Sequence, residues 1–177
     1  MGAAVAGGFG LAWAFWGASG LSGAVSLVVR VAAIAIGVAI IARSTRLRRS
    51  GSRAGDAPAG SRGGSIFGSA AYRRIVALEL IALAAGAVVL RASGHPGHTI
   101  AWFAAVVGVH FIGFGHFFWR GFYVIGAILI AGAIAGAIVG LSGDGPRAVR
   151  AVAGLIAALT LLGAGSWTLL QAPARTS

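Results

Sequence analysis

A carboxylate, two imidazoles and a guanidinium stand inside otherwise apolar stretches of this 177-residue chain. Glu79 lies in IVALELIALAAG, with Ala82, Leu83 and Gly86 on its own helix face by the i+3, i+4 and i+7 rule. Arg30 shares a face with Ser26, Ala33 and Gly37, and His110 and His116 both fall within TIAWFAAVVGVHFIGFGHFFW. Charges within a bilayer are costly and mark paired or functional positions. Glu79 and Arg30 each lie near enough to an interface to snorkel, so a structural role stands beside the functional one. A carboxylate beside an imidazole can exchange a proton, whereas one beside arginine forms a fixed bridge. From Ile75 at the inner end of its span, Glu79 is about 6 Å deep. From Trp119, His116 is about 4.5 Å deep and His110 about 13 Å. Depth therefore predicts His116 as the partner of Glu79, with Arg43 as the alternative.

The same residues exclude several chemistries. His110 and His116 are six residues apart, about 240° around a helix, so they do not form an i, i+4 metal pair. His95-Pro-Gly-His98 is a short loop without the three or four ligands of a zinc site. A haem held by histidines from two helices needs a histidine on a second span, and every histidine lies between positions 95 and 116. No nucleophile motif, phosphate loop or carboxylate pair is present; Asp144 sits in a Gly-Asp-Gly-Pro turn and Asp56 in a long loop. No metal, cofactor or catalytic residue is expected.

The elements that carry these residues follow from composition. Hydrophobic residues are 58% of the chain and charged ones 10%, with a mean hydropathy of +0.92. Soluble domains average about 25% charged residues, and crossing a bilayer takes roughly 20 apolar ones. The expected fold is all-α: one membrane domain of six transmembrane helices, at about 3–21, 24–42, 75–90, 99–119, 122–141 and 151–170. A signal peptide competes for the first span because Ala18-Ser19-Gly20 offers a cleavage point. Met1 to Val5 lacks a positive n-region, which favours a retained helix.

The long connection, 44–71, is rich in Gly, Ser and Arg and lacks periodicity, which predicts a mobile basic cytoplasmic loop. With that loop inside, ten arginines gather on the cytoplasmic face, among them Arg43, Arg46, Arg48, Arg49, Arg73, Arg74 and Arg120. Three, Arg91, Arg147 and Arg150, remain outside. That asymmetry places both termini in the cytoplasm. All 14 basic residues are arginine and 30 residues are glycine, a bias that points to a GC-rich bacterial genome and hence a multi-pass protein of the inner membrane. Arg43, Arg46, Arg48, Arg49, Arg73 and Arg74 are expected to contact anionic lipid, which answers the +11 formal charge better than nucleic acid does.

Gly132, Gly136 and Gly140 stack on one helix face, and small residues at that spacing let helix backbones approach closely in lipid. Packing within the bundle is expected, with a homo-oligomer or a membrane-protein partner left open. The run Gly108-Val109-His110-Phe111 lies in a segment, about 101–126, that resembles uncharacterised small multi-spanning bacterial membrane proteins with a Gly-x-His-Phe element. A Leu-Pro pair often follows that element; here it is Ile112-Gly113. The resemblance implies no activity and singles out His110.

Two function classes follow. The first is a non-catalytic accessory, regulatory or envelope-related membrane component. The second is a small carrier or channel whose polar path is lined by Glu79, His110 and His116, with Arg30 as a further candidate.

Overall fold

The computed structural model describes residues 2–53 and 69–171, and every regular element within them is helical. Six α-helices follow in order: α1 Gly2–Ala18, α2 Gly23–Arg53, α3 Ala70–Ala92, α4 Thr99–Phe117, α5 Gly121–Leu141 and α6 Gly145–Leu170. A 3₁₀ turn, Pro96–His98, leads into α4. Five helical segments are long and apolar enough to cross a membrane: Gly23–Leu47, Ala70–Ala92, Pro96–Phe117, Gly121–Leu141 and Gly145–Leu170. The chain is a multi-pass membrane protein. α1 is equally apolar but shorter, at 17 residues.

Three helix boundaries differ from expectation by five residues or more, each because polar residues extend a helix past its apolar core; one is the start of α6, at Gly145 instead of 151. α2 continues to Arg53, so the first third of the segment expected to be a loop is helical. α3 begins at Ala70 instead of 75, because the Ser69 hydroxyl accepts a hydrogen bond from the Tyr72 amide and caps it. Positions 54–68, the rest of that expected loop, lie outside the described residues, as does Arg175.

The short connections make sequential helices antiparallel neighbours, and α6 stands at the centre, touching α1, α2, α4 and α5. Its inward stripe is Val149, Ala153, Gly154, Ala157, Ala158, Leu161, Leu162, Gly165 and Leu169. α2 lies outside α1, and the Ser26 hydroxyl donates to the Ala18 carbonyl at 2.7 Å to tie that hairpin. On the other side, among the described residues, α3 packs on α4 and on the 3₁₀ turn alone. It contains no buried residue and presents Leu78, Leu80, Ile81, Val88 and Val89 outward. α3 ends where Gly94, at φ +79°, lets the His95 amide reach back to the Leu90 carbonyl.

This antiparallel order collects Arg43, Arg46, Arg49, Arg73, Arg74 and Arg120 at one end of the bundle, and Arg91, Arg147 and Arg150 at the other. The arginine asymmetry read from sequence is thus an asymmetry in space.

Candidate functional site

The α3–α4 contact is a ladder in which each step toward the start of α3 meets a step toward the end of α4. At one end the Trp102 indole N–H donates to the Ala82 carbonyl at 3.0 Å, and the Gly86 backbone lies under the same ring. Ile75 lies opposite Gly113, and Tyr72 stacks on Phe114 with centroids 5.5 Å apart. Between these rungs Glu79 Oε2 lies 2.9 Å from His110 Nδ1. The side chains are 16% and 11% exposed, so both are largely withdrawn. The separation is that of a hydrogen bond, yet buried Nδ1 makes none that satisfies hydrogen-bond geometry. The contact is a close approach of a carboxylate and an imidazole, the two groups of a charge-assisted pair.

His116, the partner expected from depth, is not the residue that Glu79 meets. The reason is the earlier start of α3. From Ala70, Glu79 is nine residues in, about 13 Å, while His110 is seven residues from the end of α4, about 10 Å. The ladder puts His116 beyond Phe114, level with the first turn of α3, where it is exposed with its ring edge against Phe117. Arg43 is on α2, which does not touch α3.

His110 is oriented by its surroundings. Its ring lies 4.0 Å from that of Phe114 and 5.5 Å from that of Phe111. Phe114 also meets Phe118 and Phe122, which links the site to α5. Gly108 works on the opposite side of α4. A Cβ there would lie 2.9 Å from the Gly126 carbonyl oxygen, and one at Gly126 would lie 2.6 Å from that of Gly108. In the Gly-x-His-Phe element, then, the glycine seats α4 on α5 and the histidine reaches α3. The polar face of α3 read from sequence, Glu79 with Ala82, Leu83 and Gly86, is its half-buried face.

The other expected positions are dispersed. Arg30 is half-buried beside α1, with its guanidinium carbon 5.6 Å over the Phe15 ring and its Nε without a partner. Gly132 and Gly136 face Ile156 and Ala153 of α6, and Gly140 meets His98 and Val149. Arg43, Arg46, Arg49, Arg73 and Arg74 are exposed, and the backbone of Arg48 continues α2 among them. Among the described residues no three His, Asp or Glu side chains come together.

Two close contacts escaped the sequence reading: Gly108 with Gly126, and Gly17 with Gly154. At the second, a Cβ on Gly154 would lie 2.6 Å from the Gly17 Cα. The available signal was buried small residues on α1 at 3, 7, 10, 14 and 17, of which Gly10 and Gly17 meet α6 and Gly7 meets α2. With glycine this frequent, the spacing alone does not single them out.

Two clefts lie at opposite ends of the bundle. One, at the α4–α5 turn, includes His116, Arg120 and Tyr123; the other, beside the 3₁₀ turn, includes His95, His98 and Pro146. Neither is lined by Glu79 or His110.

No family model, curated protein or solved structure matches the chain.

Proposed function

We propose that this protein is a non-catalytic accessory component of the bacterial inner membrane, with six spans and both termini cytoplasmic. The observation that carries this reading is the use made of its intramembrane charge. Glu79 and His110 meet at the contact between the bundle and its most peripheral helix, α3, which has no fully buried residue. A pair so placed adds a polar tie at the seat of α3, whose register the flanking ring and glycine contacts set, a role that a polar pair in lipid performs at modest cost. The end rich in arginine then faces anionic head groups of the cytoplasmic leaflet. The six-span count is supported by α1, which lies antiparallel to α6 from the Gly17–Gly154 contact to that of Ala6 with Gly165, and so shares its depth.

A second reading, a small proton-linked carrier, is favoured by one observation only. A carboxylate and an imidazole, Glu79 and His110, lie 2.9 Å apart well inside the span, within reach of proton transfer. Proteoliposomes carrying a pH-sensitive dye inside separate the two. The accessory reading expects an imposed potential to drive no more proton entry than in empty vesicles, with Glu79→Gln indistinguishable from wild type. Proton entry that Glu79→Gln or His110→Gln abolishes would replace it with the carrier reading.

A further inference from the structure

The cleft at the α4–α5 turn has a volume of about 370 Å³ and is bounded by His116, Phe117, Phe118, Trp119, Arg120 and Tyr123. Two of its walls are fixed by glycine. The Tyr123 ring lies against Gly115, where a Cβ would come within 2.9 Å of Cγ, and the Trp119 ring folds over Gly121. Trp119 is further held by an edge contact with Phe122, centroids 5.4 Å apart. The cleft is therefore shaped before anything enters it.

Its chemistry is cationic, and no carboxylate among the described residues pairs with it. Arg120 is exposed and has no ion pair or hydrogen bond among the described residues. The carboxylates there are Glu79, which His110 engages deeper in the span, and Asp144, at the opposite end of the bundle. Trp119 and Phe117 remain about 60% exposed, apolar surface set beside that charge. A soluble anion would use the arginine and leave these rings bare. A phospholipid uses both, with its phosphate at Arg120 and His116 and its glycerol and first methylenes against the rings.

We propose that this cleft is a discrete site for one anionic phospholipid headgroup, held through its phosphate by Arg120, with His116 and Tyr123 as further donors. The site is distinct from the diffuse attraction expected of Arg43, Arg46, Arg49, Arg73 and Arg74, and it does not depend on whether the protein is an accessory component or a carrier.

The experiment is lipid titration of the purified full-length protein in neutral detergent, read by native mass spectrometry. Phosphatidylglycerol is expected to give one tightly retained adduct and phosphatidylcholine none of comparable affinity. Arg120→Gln should weaken that adduct at least about ten-fold, the worth of a charge-assisted hydrogen bond. Arg120→Lys should retain part of it, and melting temperatures should show that both variants remain folded. Arg73→Gln/Arg74→Gln removes twice the charge from the same end and should leave the first adduct in place. Equal losses in the Arg120 and Arg73/Arg74 variants would overturn the proposal in favour of diffuse attraction. Equal retention of phosphatidylcholine, or displacement of the adduct by inorganic phosphate alone, would overturn it too, the latter by showing a soluble-anion site.

Discussion

Glu79 and His110 approach to 2.9 Å across the one helix–helix contact that α3 makes. Apart from the Trp102 indole N–H, everything else described on that contact is an aromatic ring, a small residue or an aliphatic side chain, so the pair is its main polar feature. Replacing His110 by Phe leaves the carboxylate without its partner at an 11–16% exposed position. The expected cost is about 1–3 kcal/mol, read as a lower melting temperature in detergent. The double variant Glu79→Met/His110→Phe should recover most of that loss, because an apolar pair of similar volume often matches a withdrawn ion pair. Additive losses in the double-mutant cycle would show that the two side chains are not coupled.

The indole of Trp102 supplies the second polar rung. Trp102→Phe should cost about 0.5–1.5 kcal/mol through loss of the 3.0 Å hydrogen bond to the Ala82 carbonyl. Gly86→Leu should be worse, since any Cβ there overlaps the indole. Amide hydrogen exchange along α3 is the direct measurement: both changes should speed exchange in α3 and leave α6 protected.

Glycine positions on α6 differ sharply in what surrounds them. Gly154→Leu forces apart the α1–α6 backbones and should cost about 1–3 kcal/mol or abolish folding. Gly163→Leu adds the same bulk where nothing lies within 4 Å, and should be close to neutral in melting temperature. Gly136→Leu on α5 should resemble Gly154→Leu, because a side chain there meets Ala153 and the Val149 carbonyl. Similar stability for the Gly154 and Gly163 variants would mean that the α1–α6 crossing does not limit stability.

The absence of cysteine from the sequence makes sidedness directly measurable. Ser52→Cys should resist a membrane-impermeant thiol reagent added to intact cells, and Ser93→Cys, exposed beyond the end of α3, should react. The reverse pattern would invert the topology and move the arginine-rich end outside.

Much of the architecture was legible in the chain because lipid imposes simple requirements. Apolar runs at 75–90, 99–119, 122–141 and 151–170 correspond to α3, α4, α5 and α6, and the short links force antiparallel neighbours. The half-buried face of α3 followed from helical periodicity alone. Helix ends were less legible. Tyr72, Arg73 and Arg74 fell outside the span expected from 75, yet the Ser69 cap starts α3 before them.

That displaced start explains the misassigned partner. Sequence by itself determined that Glu79 stands on a face of small residues inside a span, and that the arginines divide unequally between two ends. Both are local consequences of residue type and the 3.6-residue repeat. Which imidazole meets the carboxylate depends on how far α3 slides along α4, and that is decided by Trp102 over Gly86, Ile75 against Gly113 and Tyr72 on Phe114. These contacts join residues about 16 to 42 positions apart, and no periodicity within one helix encodes its register against another. Likewise, close approach at Gly17–Gly154 and Gly108–Gly126 was chosen from 30 glycines by the assembled bundle. A glycine permits a crossing, and only the facing helix fixes where the crossing occurs.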